Sequence, residues 1–126
     1  MAGDGTVQSW VPRALTVVLY LQAGLAAFVG VASMLAMSGF AHSVEDGRRL
    51  GVGFWAFALM LLAVVIPRFK GDRRLLLVPL GWTVFHLGDS LYELLVLGDT
   101  LFIPPALFEV TFLALYVVGY RALSRQ

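Results

Sequence analysis

Long apolar runs separated by short charged breaks dominate the chain. No formally charged residue lies between Arg13 and Glu45. A helix of about 20 apolar residues crosses the hydrocarbon core of a bilayer, so this run predicts a membrane-spanning helix over about 14–37. Met1 to Ser9 are polar and glycine-containing, and read as a frayed lead-in. Trp10, Pro12 and Arg13 then form an interfacial start: a belt aromatic, a helix-start proline and a cationic anchor. The run is too long for the core of a cleaved signal peptide, so a retained helix is expected.

The same pattern predicts three further spans. One covers about 50–66 and stops at Pro67, and one covers about 75–97 and breaks at Gly98, Asp99 and Thr100. The last covers about 104–120, opened by Pro104 and Pro105 and closed before Arg121 and Arg125. The intervening breaks are a loop from Ser38 to Arg49 and a basic turn from Arg68 to Arg74. Short connections make neighbouring helices antiparallel. The expected fold is therefore all-α: one domain, an integral membrane four-helix bundle running up-down-up-down. Arg13, Arg68, Lys70, Arg73, Arg74, Arg121 and Arg125 fall on one side, against Arg48 and Arg49 on the other. Excess basic charge marks the cytoplasmic side, so both termini are expected there.

Composition agrees. Of the 126 residues 60% are hydrophobic and 13% are charged, where a soluble domain carries about 25% charged residues. So small a soluble domain has too little interior for that many apolar side chains. A net charge of +1 without a basic face argues against nucleic acid as a partner. The absence of cysteine excludes disulfides, thiolate metal sites and thiol redox chemistry.

Helices in lipid associate through small residues and interhelical hydrogen bonds. The first helix offers Gln22, Ala26, Gly30 and Ser33 on one side, and the second Gly53, Ala56, Met60 and Ala63. Both sets read as packing faces within the bundle, with self-association as the alternative use.

The third helix carries the candidate chemistry. Trp82, Thr83, His86, Asp89, Ser90 and Glu93 recur at three-and-four spacing and share an arc of roughly 120°. This stripe is expected to face the bundle, with Leu, Val, Phe and Gly toward lipid. At 1.5 Å per residue, His86 and Glu109 both lie roughly 18 Å from their cytoplasmic anchors, Asp89 roughly 22 Å, and Glu93 and Arg49 roughly 28 Å. Those levels predict pairing of His86 with Glu109, and of Glu93 with Arg49 or Arg48. Ionised groups inside a membrane must pair, lose their charge or reach water, and an intramembrane carboxylate is by default a functional candidate. A structural role remains open: the network could simply pin the helices together. Glu109 could equally complement the dipole of its own first turn. Tyr116 and Tyr120 continue its face, Tyr120 as a belt residue, and His42 reads as a solvated loop residue.

Several chemistries fit poorly. No HExxH-type pair supports a metal site, His42 and His86 sit at different levels for haem, and Ser90 lacks a nucleophile elbow. No cofactor or metal is expected. The binding candidates are His86, Asp89, Glu93, Glu109, Arg49 and Trp82. They point to an accessory subunit or a binder of an apolar lipid-, quinone- or sterol-like molecule, through a polar pocket in the outer half of the bundle. Expected partners are the bilayer, such a ligand, and a homo-oligomer or larger membrane complex. An acid-base enzyme acting on a lipid-like substrate is the main alternative, since carboxylates beside a histidine have separated pKa values. Proton-coupled transport is the second.

Arg49-x-Gly51 opening the second helix, the basic turn from Arg68 to Arg74, and Phe85-His86-Leu87-Gly88-Asp89 together resemble the small bacterial four-helix membrane proteins of the DoxX-like kind. That resemblance covers most of the chain. It implies a bacterial inner or plasma membrane location and a role as subunit or partner of a membrane oxidoreductase. The chain is more distantly similar to the sterol-isomerase and sigma-two-receptor family, also four-helix bundles with buried carboxylates around an apolar ligand, but lacks their first-helix acidic residues. It shares length and helix count with small multidrug-resistance transporters, but not their first-helix glutamate.

Overall fold

A computed structural model describes residues 2–35 and 44–124, and for residues 2–9 and 44 the backbone alone. The described residues are helical throughout, apart from short turns. Helix α1 spans Ala2–Met34. Helix α2 (Val44–Met60) runs through a π-helical segment (Leu61–Val65) into the short α3 (Ile66–Phe69), forming one rod. Helix α4 spans Leu77–Leu95 and α5 spans Ile103–Ser124. His42 and the rest of the α1–α2 connection lie outside the described residues.

Three stretches among the described residues are long and apolar enough to cross a membrane: Trp10–Met34, Glu45–Phe69 and Thr100–Ser124. The surface agrees. Phe28, Phe85 and Leu95 are more than 70% exposed, amid many other outward-facing Leu, Val and Phe side chains. Continuous apolar surface on this scale suits lipid, not water. Helix α4 is 19 residues long and carries His86, Asp89 and Glu93, which lower its hydropathy.

The boundaries differ from those expected, for identifiable reasons. Helix α1 begins at Ala2, not near residue 14, so Pro12 lies inside it. Proline forfeits a backbone hydrogen bond there, and the Thr16 hydroxyl bonds back to the Pro12 carbonyl at 2.8 Å. The described part of the helix runs to Met34, and the expected end at Met37 lies outside the described residues. Helix α2 begins at Val44, so Glu45, Asp46, Arg48 and Arg49 are helical and not in a loop; the two acids sit in its first turn, where they complement the helix dipole. Pro67 does not stop the rod, which reaches Phe69. The widened π turn immediately before Pro67 is the kind of adjustment that accommodates a proline ring and its missing donor. Helix α5 passes Tyr120 and ends at Ser124.

The two turns into α4 and α5 are built alike. Each follows a Gly-Asp pair, Gly71-Asp72 and Gly98-Asp99. The aspartate carboxylate accepts a backbone hydrogen bond two residues on: Asp72 from Arg74 at 3.1 Å and Asp99 from Leu101 at 3.0 Å. A 3-10 turn then leads into the helix, Arg73–Leu76 before α4 and Thr100–Phe102 before α5. The basic turn needs a left-handed backbone at Lys70 (φ 36°) and at Gly71 (φ 88°), a conformation glycine adopts freely.

Packing runs α2–α1–α5–α4, and aromatic rings close the circle between α2 and α4. The expected face of α1 is the buried one: Gln22, Ala26, Gly30 and Ser33 all turn inward. The expected face of α2 is not. Ala56, Met60 and Ala63 point outward, while Gly47, Gly51, Phe57, Ala58, Leu61 and Val65 are buried. The reason lies in both neighbours. A Cβ on Gly51 would stand 2.7 Å from the Gly30 carbonyl oxygen, so glycine permits this backbone contact with α1. Phe54 and Phe57 then span the wider gap toward α4.

Candidate functional site

Helices α1, α2, α4 and α5 line a partly open cavity of about 260 Å³ toward the end of the bundle where α2 and α5 begin. Pocket volumes for small molecules start near 300 Å³, so the space suits a small molecule or the head of a longer one. Its walls are mostly apolar. Leu25, Phe28 and Val29 come from α1, Leu50 and Phe54 from α2, and Phe108 and Phe112 from α5.

The floor is a buried polar chain linking three helices. Tyr116 donates to the Gln22 side-chain oxygen at 2.6 Å, and the Gln22 amide donates to Thr83 at 2.9 Å. The Thr83 hydroxyl donates in turn to the Pro79 carbonyl at 2.6 Å. All three side chains are buried. A lone amide in an apolar helix needs such partners, since an unmet polar group in a low-dielectric interior is destabilising. Sequence reading placed Gln22 and Thr83 on inward faces but did not connect them to Tyr116. The signal was available: Gln22 is the one side-chain amide of the first apolar run, and an amide needs both a donor and an acceptor.

Above the floor lies an aromatic wall. Trp82 stacks on Phe57 with centroids 4.2 Å apart and planes 3° from parallel. Phe54 meets Trp82 edge-on at 5.6 Å. The His86 ring packs against Trp82 at 4.3 Å and Phe54 at 5.1 Å. The Phe54–Phe57 pair was missed because three-residue spacing on an apolar helix also fits a lipid-facing surface.

Four of the six expected site residues line the cavity: Trp82, His86, Asp89 and Glu109. Ser90 lies there too, with its hydroxyl facing the Glu109 carboxyl, and Asp89 is near enough to act on Glu109 electrostatically. The Glu109 Oε2 atom is buried and has no hydrogen-bond partner. Asp89 sits at the exposed edge of the stripe, not facing squarely inward. His86 and Glu109 share the cavity as their levels predicted, but His86 makes ring contacts and no ion pair with Glu109.

The other two residues lie elsewhere. Arg49 is exposed and pairs with Glu45, one turn earlier on α2, at 3.1 Å. It does not pair with Glu93, because an i, i+4 partner on the same helix is nearer. Glu93 is buried at 9% exposure on α4, outside the cavity lining. No arginine or lysine is among the described lining residues, and no three of the described His, Asp and Glu side chains gather as a metal-binding group.

The chain matches no family model, no curated protein and no solved structure.

Proposed function

We propose that this chain is a small integral membrane protein that binds an apolar small molecule in the cavity between α1, α2, α4 and α5. On this reading all four long helices cross the bilayer up-down-up-down, with both termini cytoplasmic. Helix α4 crosses despite its polar residues because it buries Thr83, Ser90 and Glu93 within the bundle and turns Leu77, Val84, Phe85 and Leu95 outward. The basic residues Arg68, Lys70, Arg73, Arg74 and Arg121 lie at the opposite end from the cavity, which supports reading that end as cytoplasmic and the cavity as belonging to the outer half of the membrane.

The observation that carries the reading is the cavity itself: apolar and aromatic walls, with His86, Asp89, Ser90 and Glu109 converging on one side. This is the ordinary make-up of a small-molecule site, where apolar area supplies affinity and a few polar groups supply orientation. Phe28 and Phe108 line the cavity and are also 71% and 53% exposed, so the space communicates with the lipid flank between α1 and α5. A ligand dissolved in the bilayer reaches it sideways. The chain then serves as a receptor or as the ligand-holding subunit of a membrane complex.

Thermal unfolding in a neutral detergent tests this. Fractions of an organic extract of the source membrane are added, and one fraction is expected to raise the midpoint. Ligand at 100 times its Kd stabilises by about 2.7 kcal/mol. The Val29→Trp variant, which fills the cavity from one wall, should lose the response. A wild type that responds to no fraction, or a Val29→Trp variant that responds equally, would contradict the reading.

Acid-base catalysis in the same cavity is a second reading, favoured by the placement of Ser90, Asp89 and Glu109 around one space beside His86. It predicts chemical conversion of the responding fraction, abolished by Glu109→Gln. Recovery of that fraction unchanged supports binding alone.

A further inference from the structure

We infer that the cavity's occupant carries a positive charge: a lipophilic amine or quaternary ammonium whose cationic head sits against the Asp89 and Glu109 carboxyl groups, beside the Phe108 and Phe112 rings. This rests on the cavity being a ligand site, and adds the chemical class of the ligand.

The argument begins with charge. Two carboxyl groups, one from α4 and one from α5, border a single cavity to which no described arginine or lysine contributes. The ion pairs at Arg49–Glu45 and Arg74–Asp72 are exposed and lie elsewhere. His86 is near enough to Asp89 to act on it electrostatically, but it packs against Phe54, Trp82 and Phe85 and forms no ion pair with either carboxyl among the described residues. The Ser90 hydroxyl faces the Glu109 carboxyl, yet the Oε2 atom of that carboxyl is buried without a hydrogen-bond partner. A cation supplies what is missing, since a carboxylate withdrawn from water is stabilised by an opposite charge.

The walls point the same way. The faces of aromatic rings carry negative potential and attract cations within about 6 Å of their centroids. Here Trp82 and Phe54 are engaged with Phe57 and His86, but Phe108 and Phe112 of α5 also line the cavity that the two carboxyls border. Two acids border the same space as these rings, and their negative charge disfavours an anionic head group there. A neutral ligand would fill the apolar volume but leave the Glu109 Oε2 atom unmet. A cation bearing a short apolar body satisfies both, and a volume of about 260 Å³ accommodates it.

The test compares two probes of nearly identical shape. Benzyltrimethylammonium carries a permanent charge, and neopentylbenzene is its neutral carbon isostere. Each is titrated calorimetrically into the protein in phosphatidylcholine nanodiscs, with empty nanodiscs subtracted. The cation should bind at least ten-fold more tightly than the isostere. Glu109→Gln and Asp89→Asn should each weaken the cation at least ten-fold and leave the isostere unchanged, while Arg121→Gln, far from the cavity, alters neither. Asp89 is exposed, so Asp89→Asn tests the charge requirement even if Glu109→Gln disturbs folding. Equal binding of the two probes, or full cation affinity in both carboxylate variants, overturns the inference. Binding of the isostere alone overturns the charge requirement and leaves the apolar site standing. Binding of neither probe overturns the inference and counts against the site as well.

Discussion

The Tyr116 hydroxyl bonds the Gln22 side-chain oxygen at 2.6 Å, joining α5 to α1 across 94 positions of sequence. Gln22 passes the connection on to Thr83 of α4 at 2.9 Å, so one glutamine ties three helices at the cavity floor. Tyr116→Phe keeps the ring and removes the donor, leaving the Gln22 oxygen unmet. The expected loss is about 1–2 kcal/mol. Gln22→Leu should be similarly destabilising, and the double variant should lose less than the sum, because both changes break one network. Unfolding midpoints in a single detergent measure all three.

The α1–α2 contact depends on glycine. A Cβ on Gly51 would meet the Gly30 carbonyl at 2.7 Å and the Met34 side chain as well, whereas one on Gly53 meets nothing within 4 Å. Gly51→Leu should therefore separate the helices and destabilise by about 1–3 kcal/mol, while Gly53→Leu should be close to neutral. Thermal unfolding of the pair provides the comparison, and equal midpoints would contradict the packing described.

Asp72 organises the turn into α4. The Arg74 backbone N–H, and after it the Arg74 guanidinium, hold its carboxyl below the usual carboxylate value. Ionised Asp72 therefore supports the turn at all pH values above the ordinary carboxylate range, and the support fades as pH falls through the lowered value. Asp72→Ala should speed amide exchange at Arg74 and Leu75 near neutrality. In strongly acidic solution the variant and wild type should converge. Hydrogen-exchange mass spectrometry follows both.

The chain contains no cysteine, so single cysteines report topology without background. Lys70→Cys should react with an impermeant maleimide from the cytoplasmic side only, and Asp99→Cys from the outer side only. Labelling of both from the same face would mean that α4 does not cross.

Much of this arrangement was legible in the sequence, because the bilayer leaves so few choices. Apolar run length located the helices, and the inward face of α1 followed from the spacing of Gln22, Ala26, Gly30 and Ser33. The stripe from Trp82 to Ser90 likewise marked the face of α4 that borders the cavity. The face of α2 was misread because small residues at Ala56 and Ala63 look like packing residues, while here Phe54 and Phe57 bridge to α4. Equal depth brought His86 and Glu109 to one cavity but could not distinguish a shared space from a bond. Depth also could not show that Arg49 prefers Glu45 on its own helix. The link between Tyr116 and Gln22 joins distant segments, and no spacing within a helix encodes it.

Native mass spectrometry of the protein released from lipid nanodiscs weighs the cavity's content directly. A small-molecule adduct should survive mild activation on the wild type and on Val31→Trp, whose exposed site lies outside the cavity, and should vanish from Val29→Trp. A wild type that sheds every adduct at the lowest activation, or an adduct that stays on Val29→Trp, would contradict the account.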